Sequence, residues 1–467
     1  MPLTNISQRL LLIVAFAIGS VFAITSAKAG GFAIREQSAS GLGAAFAGVA
    51  AGYDLSSIFW NPAAVSIARG LEAEADGALI LPDTHIAGTA TFEPVASLDA
   101  FLGPSVPLSF LDSNGGELAG PAFVPAFYSG MPLSNKLTVG FGFNGPFGLV
   151  TEPDNDNWAG QFEARTSELR TYNFNPVASY RLTPTLVVGA GAQVEFADAT
   201  LKSAFPNLAA FSILPPNVES AFGGSNPNVV IDGDDFGFGY TLGVLWQPAS
   251  GTDIGLGFRS SVEHTLEGNI FVAGVGALGS ARTSTDLEMP DIATASVRQK
   301  ISQRLTLLGT VEWTNWSILD EVVVKARTSN PNLGAVAGTP VAVFPLHWHD
   351  GWFFSGGGEF QLNDRTTVRA GVAYEESPIQ NATERTARDP DTNRVWLSLG
   401  AAYNWSATTS INLGYSHVFF EDGAIDRTTE FPVGDIRLLG KAEQDVDIIA
   451  VSVRIKLGSA PAVAPLK

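Results

Sequence analysis

Residue types that could carry covalent chemistry are scarce in this sequence. It contains no cysteine, which excludes disulfides, thiolate nucleophiles and cysteine-ligated metals. Asn412, Ser416 and His417 supply the residue types of a hydrolytic site. Ser416 and His417 are adjacent in a stretch that alternates as a strand does, so their side chains point to opposite faces. They cannot form one nucleophilic pair, and we predict that the protein is not an enzyme.

The charged residues point away from metal, cofactor and nucleic-acid binding. The chain has 46 acidic and 27 basic residues and a net charge of −19, which disfavours nucleic acid as a partner. The acidic run at 232–235 matches no calcium-binding loop, so a solvated loop is the better interpretation. We therefore predict no metal site, no cofactor and no nucleic-acid partner.

Arginines on the polar faces of predicted strands could pair with a carboxylate. A charge buried in a dry interior needs a charged or hydrogen-bonding partner. Arg259 and Arg369 are candidates for this role, together with Arg298 and Arg454.

The elements that would position these residues are short strands with a period of two. In one of them Leu305, Leu307, Val311 and Trp313 share a face. Short turns and long loops alternate between fourteen candidates, as an even-stranded barrel with both termini in the periplasm requires. Trp and Tyr near strand ends, Trp316, Trp348 and Trp396 among them, fit the two membrane interfaces. The predicted strands span 71–81, 121–131, 136–147, 169–182, 185–201, 236–248, 252–269, 286–301, 304–318, 350–362, 366–376, 393–404, 408–420 and 443–457.

An apolar leader comes before the strands. Arg9 precedes the apolar run Leu10–Ile24, and Ala27-Lys28-Ala29 forms a cleavage site before Gly30. Residues 1–29 are therefore predicted to be a secretory signal, and a single anchor helix is the less favoured alternative because the run is short. No later apolar run is long enough for a spanning helix. These features predict export to the outer membrane of a Gram-negative bacterium.

The stretch from Gly30 to Ala64 follows neither the apolar pattern of the leader nor the alternating pattern of the strands. It is rich in Gly, Ala and Ser and has little charge, so it can fold compactly with little bulk. We predict a plug at 30–70, a barrel at 71–457 and a C-terminal tail at 458–467. The fold class is thus an all-β, 14-stranded antiparallel transmembrane barrel with a short N-terminal plug in the lumen. The residues predicted to build the plug are Gly31, Phe32, Ser40, Gly41, Gly43, Gly48, Asn61, Pro62 and Ala63.

The third predicted strand should be interrupted. Proline cannot donate to a β-ladder and glycine weakens one, so Asn144-Gly145-Pro146-Phe147-Gly148 should break or bulge the strand. A break would open a gap in an otherwise sealed wall. The alternative is that these residues only end the strand at a loop.

Two predicted loops carry apolar side chains. Exposed apolar patches often mark binding sites, although the same residues could only pack the loops together. The candidates for an external substrate groove are Phe205, Leu208, Phe211, Ile213, Leu214, Phe271, Val272, Val275 and Leu278.

Ordered motifs along the mature chain resemble the FadL/TodX (OMPP1) family of outer-membrane transporters. They include Gly31-Phe32, Ser38–Gly43, Asn61-Pro62-Ala63, Leu287–Asp291, Glu312–Ser317 and Arg369–Pro378. The resemblance implies a fourteen-stranded barrel with an N-terminal hatch. It also implies passive uptake of long-chain fatty acids or other hydrophobic compounds, with lateral release at the kinked third strand.

The resemblance leaves the substrate open. Family members commonly carry Trp-Lys-Asp where this chain has Trp348-His349-Asp350, so His349 is a candidate carboxylate partner. An unperturbed histidine is mostly neutral at pH 7, which leaves room for an aromatic or alkane hydrocarbon. A general diffusion porin is a further alternative, because the lumen face is polar. The expected partners are the hydrophobic substrate, outer-membrane lipid, lipopolysaccharide and the barrel-assembly machinery.

Overall fold

The computed structural model describes residues 30–108, 114–207, 217–222, 226–272 and 279–458. The predicted secretory signal and most of the predicted tail lie outside this part of the chain. Six of the predicted groove residues also lie outside it, namely Leu208, Phe211, Ile213, Leu214, Val275 and Leu278.

Fourteen antiparallel strands form one closed barrel, as the sequence predicted. Three strands consist of two pieces each. The strands are β1 Glu72–Pro94, β2 Ala122–Pro132, β3 Leu137–Asn144 with Gly148–Thr151, β4 Thr166–Thr183, β5 Leu186–Ala204, β6 Asn228–Ala249, β7 Thr252–Arg259 with Val262–Val272, β8 Gly279–Met289 with Ile292–Lys300, β9 Leu305–Thr314, β10 Gly351–Gln361, β11 Thr366–Glu375, β12 Arg394–Asn404, β13 Thr409–Phe420 and β14 Gly434–Lys456.

Consecutive strands pair with each other, and β14 pairs with β1 to close the ring. Short turns join the strands at one end, which we call the short-turn end. The opposite end, which we call the long-loop end, carries the long connections. Side chains alternate along each strand: Leu397 and Leu399 on β12 face outward and are exposed, whereas Ser398 between them faces inward and is buried. This alternation is typical of a barrel whose outer wall is apolar.

Several strands extend beyond their predicted bounds at the long-loop end. β1 continues to Pro94 and β14 begins at Gly434, because backbone pairing persists where the apolar alternation has already faded. Phe271 and Val272 were predicted in a loop, but they lie on β7, where Phe271 is exposed and Val272 is buried. The prediction that Trp316, Trp348 and Trp396 lie at membrane interfaces was also wrong, since all three are buried.

Helices and short loop strands complete the described chain. None of the described helices is long and apolar enough to cross a bilayer. The α-helices are α1 Ala39–Leu42, α2 Ala96–Leu102 and α3 Val218–Phe222, and the 3-10 helices are Val49–Ala51, Leu55–Phe59, Pro62–Ile67, Trp316–Ile318 and Pro331–Leu333. The loop strands are Val106–Pro107, Glu321–Ala326, Pro340–Pro345 and Gly423–Thr429.

Residues 30–70, which we call the N-terminal segment, lie inside the barrel. The backbone N–H groups of Ala39, Gly48 and Ala50 donate to Asp76 on β1, Thr310 on β9 and Ser296 on β8, at 2.8, 2.8 and 3.1 Å. Contacts with strands on several sides of the ring place this segment in the lumen.

Glycines on the inner wall make this close packing possible. A Cβ at Gly257 on β7 would overlap the carbonyl oxygen of Trp60, and one at Gly371 on β11 would overlap that of Ala44. Asn61 then fixes the end of the segment, because its amide nitrogen donates to the carbonyls of Ala50 (2.7 Å) and Val244 (2.9 Å).

Candidate functional site

The wall of the barrel contains a gap between β2 and β3. β2 pairs with β3 only as far as Phe127 opposite Phe143, and among the described residues no backbone pairing joins the two strands beyond that point. The gap closes again where the N–H of Glu152 donates to the carbonyl of Leu118 at 2.7 Å. We call this bounded opening the window. β3 is interrupted beside it, at Gly145, Pro146 and Phe147, where the sequence predicted a break.

The N-terminal segment covers the window from inside. The N–H of Ile34 donates to the carbonyl of Pro146 at 2.8 Å, and the N–H of Gly148 donates to the carbonyl of Phe32 at 2.8 Å. Ala33 and Phe147 therefore face each other as an antiparallel pair. The segment takes the edge of β3 that β2 leaves unpaired.

Phe32 lies in a cage of aromatic rings next to the window. Its ring centroid is 4.8 Å from that of Trp316, 5.4 Å from that of Trp348 and 6.1 Å from that of Phe147. Gly31 adopts a φ of 57°, and a Cβ there would meet the rings of Trp316 and Trp348. The cage belongs to a buried apolar cluster of residues from β3, β4, β5, β7, β8 and the loops. Phe32 thus fills an apolar space beside the window.

A row of buried polar side chains runs inward from the window. Asn144 on β3 lies opposite Asn173 on β4, and neither polar side-chain atom of Asn144 has a hydrogen-bond partner among the described residues. The amide nitrogen of Asn173 donates to Glu195 (2.9 Å) and to Gln193 (3.2 Å) on β5. Nε2 of His264 lies 3.4 Å from Glu195.

Arg259 lies at the inner end of this row. Its guanidinium donates to Gln193 and to the carbonyl of Phe59 (3.3 Å), and it lies 4.6 Å from the centre of the Phe59 ring. No carboxylate of the described residues forms an ion pair with it. Arg259 is therefore a buried guanidinium held by neutral groups of the described residues.

The other basic candidates already have acidic partners. Arg369 binds Glu359 at 2.7 Å, and Arg298 binds the same carboxylate at 2.5 Å. Arg454 binds Glu72 at 2.6 Å. His349 is about half exposed in a loop and lies 3.6 Å from Glu384. Only Arg259 among the predicted carboxylate partners adjoins the polar row.

A buried ionic cluster holds the N-terminal segment just beyond Phe32. Arg35 binds Glu312 on β9 and Glu375 on β11, and Arg394 on β12 binds Glu375 at 3.0 Å. Glu36 is fully buried next to this cluster, and neither of its carboxylate oxygens has a hydrogen-bond partner among the described residues. Burial raises the pKa of Glu36 to about 7; nearby Glu375 also raises it, while Arg35 and Arg394 lower it.

The remaining predicted plug residues are all buried in the N-terminal segment. Ser40 and Gly41 lie in α1, where the N–H of Gly41 donates to the capping side chain of Ser38 at 3.0 Å. Gly43 lies against the backbone of Gly400 on β12, and Gly48 adopts a φ of 77°. Pro62 and Ala63 begin a 3-10 helix that Asn61 caps.

Apolar side chains join the loops at the long-loop end into one buried cluster. It contains Phe92 of β1, Trp158 and Phe162 of the loop after β3, and Leu438 of β14. The ring of Phe205 lies 6.2 Å from that of Phe431, which packs against the same cluster.

Ser416 and His417 point to opposite sides of β13, as predicted. Ser416 is buried and binds Ser398, whereas Nδ1 of His417 lies 2.9 Å from Asp447.

The polar row escaped the sequence analysis because its residues lie on four different strands. Each of them is an ordinary inward-facing polar residue in its own strand, and only the strand register brings them together. The repeated inward polar positions of β4 and β5 are the one signal that could have revealed it.

Comparison with known proteins agrees with this geometry. A family model described as outer membrane protein transport protein (OMPP1/FadL/TodX) matches residues 20–457. A putative outer membrane protein of Neisseria meningitidis serogroup B is 27% identical over 486 residues, with 94% of this chain and 97% of that protein covered. The long-chain fatty acid transport protein of Salmonella typhi is 25% identical over 426 residues, with 86% and 91% covered.

Solved structures show the same fold. A Pseudomonas aeruginosa FadL homologue matches with a TM-score of 0.79 at 22% identity, covering 92% of this chain and 100% of that one. The Ralstonia pickettii toluene transporter TbuX matches with a TM-score of 0.61 at 16% identity, covering 90% and 100%.

The closed barrel and the family match define a non-enzymatic transport protein of the Gram-negative outer membrane. The chain belongs to the OMPP1/FadL/TodX family and transports hydrophobic compounds.

Proposed function

We propose that this protein takes up long-chain fatty acids passively and releases them sideways through the window into the outer membrane. The observation that carries the proposal is the interrupted pairing of β2 and β3, with the N-terminal segment paired to the free edge of β3. A wall with a bounded opening that is covered by a separate strand can open without unfolding the barrel.

The N-terminal segment supports lateral release by filling the lumen. Its backbone contacts the inner wall closely, which narrows the axial route for a bulky ligand. We propose that residues 30–70 act as the plug of a barrel spanning 71–457. A general diffusion porin, which needs an open lumen, is less consistent with this packing.

Arg259 and the polar row favour a fatty acid over a hydrocarbon. A carboxylate that reached the row would find a buried guanidinium and amide donors, which stabilise a desolvated charge. Relatives named long-chain fatty acid transport proteins agree with this choice. The aromatic cage around Phe32 is the observation that favours the second candidate, uptake of aromatic hydrocarbons.

The route begins at the long-loop end. We propose that the apolar loop residues, with Phe205 and Phe271 among those described, offer the first contact for an amphipathic ligand. Outer-membrane lipid and lipopolysaccharide would surround the apolar wall, and the barrel-assembly machinery would insert it.

Straightening β3 tests the exit. The double variant Gly145→Val, Pro146→Val restores a donor and β-branched side chains at the break, so β3 should run on and the window should narrow. We expect uptake of labelled oleate by a deletion strain to fall to background while the barrel still assembles.

The matched control is Pro104→Val, in a Gly-Pro pair of an exposed loop, which leaves Gly103 with its left-handed φ of 79° unchanged. Oleate uptake at the wild-type rate by the β3 variant would contradict lateral release. Toluene uptake measured in the same strains separates the two substrate classes.

A further inference from the structure

Three metal-ligating side chains converge on the outer face of the barrel, beside the rim of the window. Oδ1 of Asp83 lies 2.8 Å from Nε2 of His85, and Oε2 of Glu117 lies 3.9 Å from the same nitrogen. One ligand atom from each residue lies within 4.8 Å of the other two. Asp83 and His85 are on β1, whereas Glu117 comes just before β2.

The backbone orients the imidazole of His85. Its Nδ1 lies 2.9 Å from the carbonyl oxygen of Gly116, which can only accept a hydrogen bond. Nδ1 therefore carries a proton, and Nε2 faces the two carboxylates; its 2.8 Å distance to Asp83 is that of a hydrogen bond, whose proton a bound metal ion would replace. Histidine ligands in metal sites are held in this way, with the other ring nitrogen donating to a carbonyl or carboxylate.

Glu117 is fixed by a different set of contacts. Its Oε1 accepts N–H groups from Thr84 at 2.9 Å, Leu118 at 3.1 Å and Ala119 at 3.2 Å. These contacts leave Oε2 to face His85. The glutamate is thus preorganised, and only the exposed side chain of Asp83 has to adjust.

Neighbouring residues add negative charge. The backbone register places Asp445 of β14 opposite Asp83, and Glu443 opposite His85. Lys441 is the cation on this part of β14, and its ammonium is already bound to Glu443 at 2.7 Å and to Asp422 at 2.7 Å. Like charges facing each other across strands are destabilising, and a bound cation relieves that repulsion.

We propose that Asp83, His85 and Glu117 form a binding site for a divalent transition-metal ion such as Zn²⁺. One imidazole nitrogen and two carboxylate oxygens suit zinc, whereas Ca²⁺ and Mg²⁺ prefer oxygen ligands alone. In a tetrahedral zinc site, neighbouring ligand atoms lie roughly 3.4 Å apart. The two distances at Nε2 lie on either side of that value.

The bound ion would link β1 to the rim of the window at its long-loop end. Glu117 directly precedes Leu118, whose carbonyl closes the window, and the carbonyl of Glu117 accepts the N–H of Asp154 at 3.1 Å. The sequence predicted no metal site because the three ligands are separated by a long loop. Metal binding itself does not depend on which substrate is transported.

Calorimetric titration of the untagged, full-length protein in detergent with ZnCl₂ at pH 7.5 tests the site. We expect one ion per chain, binding that weakens at pH 5.5 because protons compete for Nε2, and a loss of at least about tenfold in affinity for His85→Gln. Glu117→Gln keeps an oxygen for the three N–H groups and should weaken binding similarly.

The matched control is His347→Gln. This exposed histidine lies 2.7 Å from a single carboxylate, Asp320, so its loss should leave zinc affinity unchanged. Absence of zinc binding by the wild-type protein, or equal affinity in wild type and His85→Gln, would overturn the proposal.

Discussion

Cross-linking the N-terminal segment to β3 should stop transport. Ala33 and Phe147 are flanked by the two backbone hydrogen bonds that join the strands, so they form a non-hydrogen-bonded pair. Cα atoms in such a pair lie about 4.5 Å apart, within the range that a disulfide spans. The native chain contains no cysteine, so Ala33→Cys, Phe147→Cys introduces the only thiols.

The structure sets the scale of the movement that this bond would prevent. Undocking breaks the two backbone hydrogen bonds and the bond from Gln37 to the carbonyl of Gly145, each worth about 1 kcal/mol. It also removes Phe32 from its cage, at a further cost of about 2 kcal/mol. These terms sum to about 5 kcal/mol before the Arg35 ion pairs of the same segment are counted, so the undocked fraction is at most on the order of 1 in 5,000. A ligand that displaces Phe32 can repopulate that state, but it cannot break a disulfide.

Uptake of labelled oleate by a deletion strain measures the effect. Oxidised double-variant cells should take up oleate at the background rate, and a reductant should restore uptake. Each single cysteine variant controls for the substitution itself. Ser398→Cys, Ser416→Cys controls for oxidation, because these facing side chains lie 2.9 Å apart within the wall, away from the window. Normal uptake by a fully cross-linked Ala33–Phe147 variant would refute the gating role of the segment.

Three further predictions concern the lumen. Arg259→Gln should reduce oleate affinity by roughly tenfold to a hundredfold while toluene uptake is unchanged, because a charged hydrogen bond is worth about 1.5 to 3 kcal/mol; equal losses for both substrates would argue against a carboxylate site. The pKa of Glu36 lies near 7, above its ordinary value of 4.5, so the docked state binds a proton that the undocked state releases. Docking of the N-terminal segment should therefore be firmest below about pH 4.5 and should weaken as the pH rises to about 7. The mobility of a spin label at Ala33→Cys would report this change. Glu36→Gln should abolish the pH dependence. Deleting residues 31–63 should raise ion conductance in planar bilayers, and unchanged conductance would mean that the segment is not the barrier.

The architecture was accessible from the sequence because it depends on local patterns. Alternating apolar and polar side chains identified the strands, and the regular alternation of short turns with long loops predicted the number of strands. Gly145-Pro146 marked the break in β3 because both residues disfavour a β-ladder wherever they occur. The predicted loop residues could not all be placed in this way, because Phe271 lies on β7, which continues beyond the apolar alternation.

The candidate site depends on register, which the sequence does not display. Arg259 and Arg369 look alike in sequence. In the structure Arg369 forms an ion pair with Glu359, whereas no acidic residue of the described chain forms an ion pair with Arg259. The same limit applies to Trp316 and Trp348. Their type suggested a membrane interface, but the connection between β9 and β10 folds them inward around Phe32.

The seam between β1 and β14 has a consequence for the order of assembly. Each of these strands has 23 residues, and they pair from Glu72 opposite Lys456 to Pro94 opposite Gly434. This seam joins the two ends of the barrel sequence and so has the highest contact order of the strand pairings. The entropic cost of closing a loop nevertheless grows only slowly with the length of the loop. A long ladder of backbone hydrogen bonds at this seam therefore favours the closed barrel over a sheet with an open edge that is prone to aggregation. Because the N-terminal segment contacts the inner wall on several sides, we expect it to lie within the curling sheet before the seam closes.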